Sequence, residues 1–288
     1  DPRGGLELLN MSFERLVRVV EDGLRAARVF DAEITRVQGT LDSNCLIFWL
    51  ADCTIVRVGW SAPLYPSAEA MLTGELCRGG IAAPEVIGVG RAGGRPWMRY
   101  RAVAGVPMHT SYQAAQAGAE LLKIHRMRWL SGASRPARRR PRRQLRFQAA
   151  SAAVRSGRYR ALGTVVRRAW RDERTGGKCL IHGDFRESNV LFDGDRLAGI
   201  IDWSDWDYGS EERDLGSTNP ELLRPLVQGY LTARGSEGQL DMELVQGHAL
   251  ARVLSLHEFG VISRQATDTS IGFITEIGMG EFASHGHR

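Results

Sequence analysis

Strand-type sequence in this chain is confined to two places, and that constrains the fold more than any other feature. The first is residues 1 to about 103, where short β-branched or aromatic runs follow one another: Glu33–Val37, Cys45–Leu50, Thr54–Val58, Glu85–Val89 and Pro96–Val103. Ala51-Asp52 and Arg91-Ala92-Gly93-Gly94 stand between consecutive runs, as hairpin turns do. The second is Cys179–Trp203, an island in helix-patterned sequence. Apolar residues at helical spacing predict a helix over Glu14–Val29, and Ser67–Arg78 reads as another, with Ser67 as N-cap, between the third and fourth strands. Beyond Gly105 the helical pattern covers Ser111–Leu130, Gln148–Arg171 and the chain from Glu221 onward. The expectation is an α+β chain in two parts. Residues 1–103 form a small antiparallel sheet with one inserted helix, and residues 104–288 a larger, mostly helical part.

With 288 residues, 43% of them hydrophobic, the chain has enough apolar material for both parts, and a disordered or collagen-like polymer is excluded. No run of about 18 apolar residues occurs, so no membrane helix is expected. The first residues lack the basic-then-apolar layout of a signal peptide. Four cysteines without a CxxC pair make no disulfide framework. A cytoplasmic protein is the expectation.

The residues that carry chemistry lie between Leu180 and Leu215. His182-Gly183-Asp184-Phe185-Arg186-Glu187-Ser188-Asn189 runs into the apolar Val190-Leu191-Phe192, then the turn Asp193-Gly194-Asp195, then Leu197–Ile201 and Asp202-Trp203. Two β-type runs around an Asp-Gly turn predict a hairpin. Asp184 and Asn189 precede its first strand and Asp202 ends its second, so three oxygen-bearing side chains should meet at one rim. Mg²⁺ favours one or two carboxylates with an amide oxygen, waters and phosphate oxygens completing the octahedron. The spacing D-x-x-x-x-N matches a kinase catalytic loop, with Asp as base and Asn on the metal.

This version, H-G-D-x-x-x-x-N followed by the Asp of Ile201-Asp202-Trp203, resembles the aminoglycoside phosphotransferase family and the related choline kinases and kinase-fold homoserine kinases. Asp214-Leu215 matches a further family element. The resemblance implies a bilobal protein-kinase-like fold, with a nucleotide-binding lobe over residues 1–103 and a catalytic, acceptor-binding lobe over residues 104–288. It also implies ATP or GTP as donor and Mg²⁺ as cofactor. Asp184 is then the catalytic base, Asn189 and Asp202 are the metal ligands, and His182 braces the loop. Arg186 stands where protein kinases place a lysine on the γ-phosphate.

In the first part, Gly39-Thr40-Leu41-Asp42-Ser43-Asn44 occupies the place of the phosphate-covering loop, with Gly39, Ser43 and Asn44 as candidate phosphate contacts. Only Lys123 and Lys178 are lysines, both outside this part, so Arg57 is the cation available where kinases use a strand lysine. Glu69 is its first candidate partner and Glu75 the second. Gly105-Val106-Pro107, after Tyr100–Val103, resembles the hinge on which adenine hydrogen-bonds to backbone.

Two features bear on the acceptor and point in opposite directions. Asp205, Asp207, Glu211, Glu212 and Asp214 cluster behind the metal aspartate, where carboxylates attract a polycation such as an aminoglycoside. Trp203, Trp206 and Tyr208 among them offer an aromatic wall or packing, and His257 and Glu258 on a late helix are further acceptor candidates. Against this, Arg126–Arg174 holds sixteen arginines opposed by Asp172 and Glu173 alone. Its Arg135–Arg143 stretch, broken by two prolines, reads as a loop: either solvated or a recognition element for an anionic acceptor. The leading function is phosphorylation of a small-molecule hydroxyl, most naturally on an antibiotic. A metabolic kinase acting on choline or homoserine and a catalytically silent binding protein are the alternatives. Membrane and nucleic-acid partners are not expected.

Overall fold

The computed structural model describes residues 12–39, 45–59, 66–127, 140–175 and 179–277. The chain divides into two compact units. One runs to Arg78 and resumes over Ala83–Val103; the other takes Gly79–Ala82 and the chain from Ala104 onward.

In the first unit, helix α1 (Phe13–Ala26) is capped by the Ser12 side chain and turns Leu16, Val20 and Leu24 inward. The sheet has five antiparallel strands in the order β1-β2-β3-β5-β4: β1 Ile34–Gln38, β2 Cys45–Leu50, β3 Thr54–Gly59, β4 Val86–Ala92 and β5 Arg95–Arg101. Leu46, Phe48 and Leu50 of β2 alternate inward and join Val56 and Val58 of β3 against α1. On β3 the alternate position Arg57 is buried as well, so this central strand is covered on both faces. Helix α2 (Pro66–Arg78) packs along β4 and β5.

In the second unit, β6 (Val106–Pro107) pairs with β8 (Val190–Asp193), which pairs with β9 (Arg196–Ile200). Strand β7 (Cys179–Ile181) pairs with β10 (Asp207–Gly209). The helices are α3 (Ser111–Arg126), α4 (Arg140–Arg155), α5 (Gly163–Thr175), the short α6 (Glu211–Leu215), α7 (Pro220–Arg234), α8 (Met242–Glu258) and α9 (Arg264–Ile277). Thr110 and Gln113 form a capping box at the start of α3. Gln113 also donates its side-chain amide to the Gly194 carbonyl, which ties this helix end to the β8–β9 turn. Helices α3 and α7 meet backbone to backbone. A carbon added at Gly118 would fall 2.1 Å from the Leu226 carbonyl oxygen, and one at Gly229 would fall 1.9 Å from that of Ala115.

Several local expectations are corrected. Helix α2 begins at Pro66, so Ser67 is inside it rather than its N-cap; proline needs no N–H in a first turn. The β4–β5 turn is Gly93-Gly94 alone, both at positive φ, with Arg91 and Ala92 still paired. The β8–β9 turn is Gly194-Asp195, with Asp193 paired to Arg196. The helix expected over Gln148–Arg171 is two. It stops at Arg155, Gly157 takes a φ of 99°, and α5 starts at Gly163. Helix α4 begins at Arg140, inside the stretch read as a loop, with Pro141 in its first turn; residues 135–139 lie outside the described residues.

Candidate active site

The segment leaving β7 is fixed from below by one buried carboxylate. Asp214 is fully buried and accepts the backbone N–H groups of His182 at 2.7 Å and Gly183 at 2.8 Å. His125 at the end of α3 reaches the same carboxylate at 3.2 Å, and its other ring nitrogen lies 2.9 Å from the Tyr230 hydroxyl of α7. The α3–α7 crossing therefore positions the histidine that supports the loop. Gly183 has a φ of 85°, and a carbon added there would come within 2.0 Å of the Asp205 carbonyl oxygen. Only glycine fits that position. His182, itself buried, accepts the Asp184 N–H on Nδ1 at 3.3 Å and donates from Nε2 to the Ile201 carbonyl at 3.0 Å. It thereby joins the loop of Asp184 to the end of β9.

Burial opposes the charge on Asp214. The His125 hydrogen bond, the neighbouring imidazoles and the Gly183 N–H outweigh it and hold the carboxyl below the ordinary aspartate value. A carboxyl lowered by folding stabilises the fold fully above its unfolded value near 3.9, and that support is lost as pH falls through the lower folded value. The melting temperature of the protein is expected to fall as pH drops below about 4. Asp214→Asn should show a shallower fall over the same range, and identical slopes would remove Asp214 from the acid-sensitive groups.

At the rim of the hairpin, the Ile201 N–H donates to the Asn189 carbonyl at 2.8 Å, extending the ladder one step past the Val190–Ile200 pair. Asn189 thus lies beside Ile201, one residue before Asp202. The Asn189 side-chain N–H₂ donates to the Asp184 carbonyl at 2.9 Å and to its carboxylate at 3.3 Å. With the nitrogen so engaged, Oδ1 is the Asn189 atom suited to a cation. Asp202 sits in the left-handed region, φ 59° and ψ 61°, which aspartate tolerates better than most residues. Arg186 Nε lies 3.1 Å from Asp184 Oδ2 in an ion pair without hydrogen-bond alignment.

In the first unit, Arg57 pairs with Glu69, both buried. Glu75 pairs with Arg78 instead. Removing one partner from such a pair strands a charge, at about 3–5 kcal/mol. Gly39 stands just after β1 with a φ of 149°, whereas Ser43 and Asn44 lie outside the described residues.

The acceptor candidates are dispersed. Trp203 and Trp206 are buried, and the Trp203 indole donates to the Ile200 carbonyl, so both pack inward and form no open aromatic wall. Glu211 pairs with Arg234, Glu212 accepts the Asp241 N–H, and Asp207 accepts the N–H of Tyr208. Asp205 supplies the carbonyl that abuts Gly183. The His257 ring packs edge-on against Tyr159, and Glu258 is exposed at the end of α8. What α8 does bring toward the loop is Arg252, 3.9 Å from Glu187; α4 brings Arg146, 4.0 Å from Asp184. Arg252 was not singled out in the sequence, although an arginine inside the apolar Ala249–Leu254 run was the available signal; Arg146 entered only as one member of the arginine-rich segment.

The model of a family described as the phosphotransferase enzyme family matches residues 53–244. A spectinomycin phosphotransferase solved with ADP and spectinomycin is 14% identical, with 89% of this chain and 93% of that one covered at a TM-score of 0.58. An amicoumacin kinase solved with AMP-PNP and Ca²⁺ is 13% identical, with coverages of 88% and 91% and a TM-score of 0.58. A choline/ethanolamine kinase family protein from Mesorhizobium loti is 18% identical, with coverages of 86% and 88% and a TM-score of 0.54. No curated protein matches the chain. The α+β fold is that of protein-kinase-like phosphotransferases. Among the described residues no helix is long and apolar enough to cross a membrane.

Proposed function

Because the chain belongs to the phosphotransferase enzyme family, whose members phosphorylate hydroxyl groups of small molecules, we propose that it transfers the γ-phosphoryl group of ATP or GTP to a hydroxylated antibiotic. The observation that carries this reading is the closure of the Asp184–Asp202 segment: Asn189 is bonded to Asp184 on one side and to Ile201 on the other. Residues 1–103 are the nucleotide lobe in this reading, with Arg57, oriented by Glu69, on the α- and β-phosphates and Gly39 in the covering loop. Residues 104–288 carry the base and the acceptor. The cytoplasm, where nucleoside triphosphate is plentiful, is the proposed compartment.

Asn189 Oδ1 and the Asp202 carboxylate are hard oxygen donors of the kind Mg²⁺ takes, so the residues present fit that ion. When bound, Mg²⁺ supplies charge neutralisation on the phosphate oxygens. Asp184 accepts the proton of the acceptor hydroxyl as its oxygen bonds to the γ-phosphorus. The bond from that phosphorus to the bridging oxygen breaks, and nucleoside diphosphate leaves. Arg186 offsets charge on the transferred group. With Glu211 and Glu212 engaged inside the protein, a polycationic aminoglycoside is not favoured over other hydroxylated antibiotics.

The test is an acceptor screen with purified protein, scoring nucleotide consumption and product mass across aminoglycosides, other hydroxylated antibiotics, choline and homoserine. Turnover confined to choline or homoserine would replace the antibiotic reading with a metabolic kinase. Asp202→Asn keeps the residue type that accepts left-handed backbone and removes the charge. It should weaken Mg²⁺-dependent nucleotide binding at least about 10-fold, and unchanged binding would end the metal role.

A further inference from the structure

Several arginines in this protein are closely hydrogen-bonded to carboxylates, whether exposed or partly buried. Arg99 reaches Asp52 at 2.5 Å and the Val29 carbonyl at 2.9 Å, Arg158 reaches Asp268 at 2.5 Å, and Arg168 grips Asp241 and Glu243 together. Arg146 and Arg252 break that pattern. Arg146 approaches Asp184 Oδ1 only to 4.0 Å, with 35% of its side chain exposed. Arg252 approaches Glu187 Oε1 only to 3.9 Å, with 14% exposed. Each guanidinium has five donors, and a burial such as that of Arg252 is costly unless those donors find partners.

From the proposed phosphotransfer, on which this step rests, and from the convergence of Arg146, Arg186 and Arg252 on Asp184 and Glu187, we infer that the acceptor carries an anionic group, a carboxylate or phosphate ester. That group docks on Arg146 and Arg252 while its hydroxyl faces Asp184. Neither Arg146 nor Arg252 comes within hydrogen-bond distance of the carboxylate it faces, so both guanidiniums keep donors for a further anion. Glu187 is partly committed elsewhere, since it also accepts the Asn219 N–H at 3.1 Å. Burial pushes Arg252 below the ordinary arginine value, with Glu187 and Asp184 opposing that shift and Arg146 and Arg186 adding to it. A planar guanidinium suits bidentate capture of either anion. Because Arg146 faces Asp184 itself, the anionic group and the reacting hydroxyl belong to one compact fragment a few bonds long.

The experiment has a binding arm and a turnover arm. Inorganic phosphate and sulfate are titrated into protein saturated with Mg²⁺ and AMP-PNP, so that the donor site is filled. Arg252→Gln and Arg146→Gln should each weaken anion binding about tenfold or more, with AMP-PNP affinity within about twofold of wild type. Arg252→Lys should keep part of the binding, which separates charge from folding, and the partly exposed Arg146 gives a second variant of low structural risk. In turnover, homoserine is compared with its methyl ester and a nucleoside 5′-monophosphate with its nucleoside. The anionic members should have the lower KM, and the variants should erase that advantage. Anion binding indifferent to both variants overturns the inference. So does a loss that falls on AMP-PNP, because the arginines would then serve the donor. If no acceptor reacts, either here or in the screen of antibiotics, choline and homoserine, while both variants lose the anion, the anion site stands and the phosphotransfer reading fails.

Discussion

Asp184→Ala is expected to lower kcat by about 10²–10⁴-fold while leaving nucleotide affinity within about twofold. The substitution removes the only group proposed to accept the hydroxyl proton, yet it leaves the loop's supports in place. The Asp214 bonds reach the backbone of His182 and Gly183, and the shorter Asn189 bond reaches the Asp184 backbone carbonyl, which alanine retains. Arg186, 42% exposed, loses a carboxylate partner but keeps access to water. A fall in kcat alone therefore reports lost chemistry rather than a collapsed site. Steady-state kinetics with a nucleotide titration on the same preparation decide it, and turnover within about tenfold of wild type would assign the proton to another group.

Gly118→Val is expected to cost about 3 kcal/mol or more, the upper end of the overpacking range. The obstacle at Gly118 is backbone, the Leu226 carbonyl and the Tyr230 N–H, so no side-chain rotation relieves it and α3 must move off α7. For a chain of this size that corresponds to a fall of roughly 6–12 °C in melting temperature. Activity should fall along with it, since the displacement reaches His125, Tyr230 and the carboxylate that holds the loop. Gly74→Ala is the matched control. It lies inside α2 with open space where a methyl would go, and should gain about 0.5–1 kcal/mol. A Gly118→Val protein as stable as its parent would mean that the two helices are not in backbone contact.

Legibility in the sequence followed the range over which each feature is encoded. Strands β2 and β3 and the β8–β9 hairpin declare themselves through β-branched and aromatic runs, so their positions could be read to within a residue or two. The α4–α5 break could not, because Gly157 in a helical pattern reads as a tolerated glycine until its positive φ is known. Helix α2 begins at a proline whose meaning was available and missed. In the site, the residues that fall at fixed offsets in one hairpin were legible together. Arg146 and Arg252 were not, since helices remote in sequence deliver them, and no spacing rule connects them to Asp184. The acidic run misleads for a related reason. Exposure was inferred from charge, but α6 turns Glu211 toward Arg234 and Glu212 toward the start of α8.

The bare backbone at Gly183, seated under the carbonyl of Asp205, has an evolutionary corollary. The two strips that bear Asp184, the proposed proton acceptor, and Asp202, the proposed metal carboxylate, are stacked without a carbon's width between them, so neither can drift alone. A lineage adapting to new acceptors inherits that span as a fixed ruler. Its room for change lies on the flanking helices, where side chains can be exchanged without disturbing the ruler.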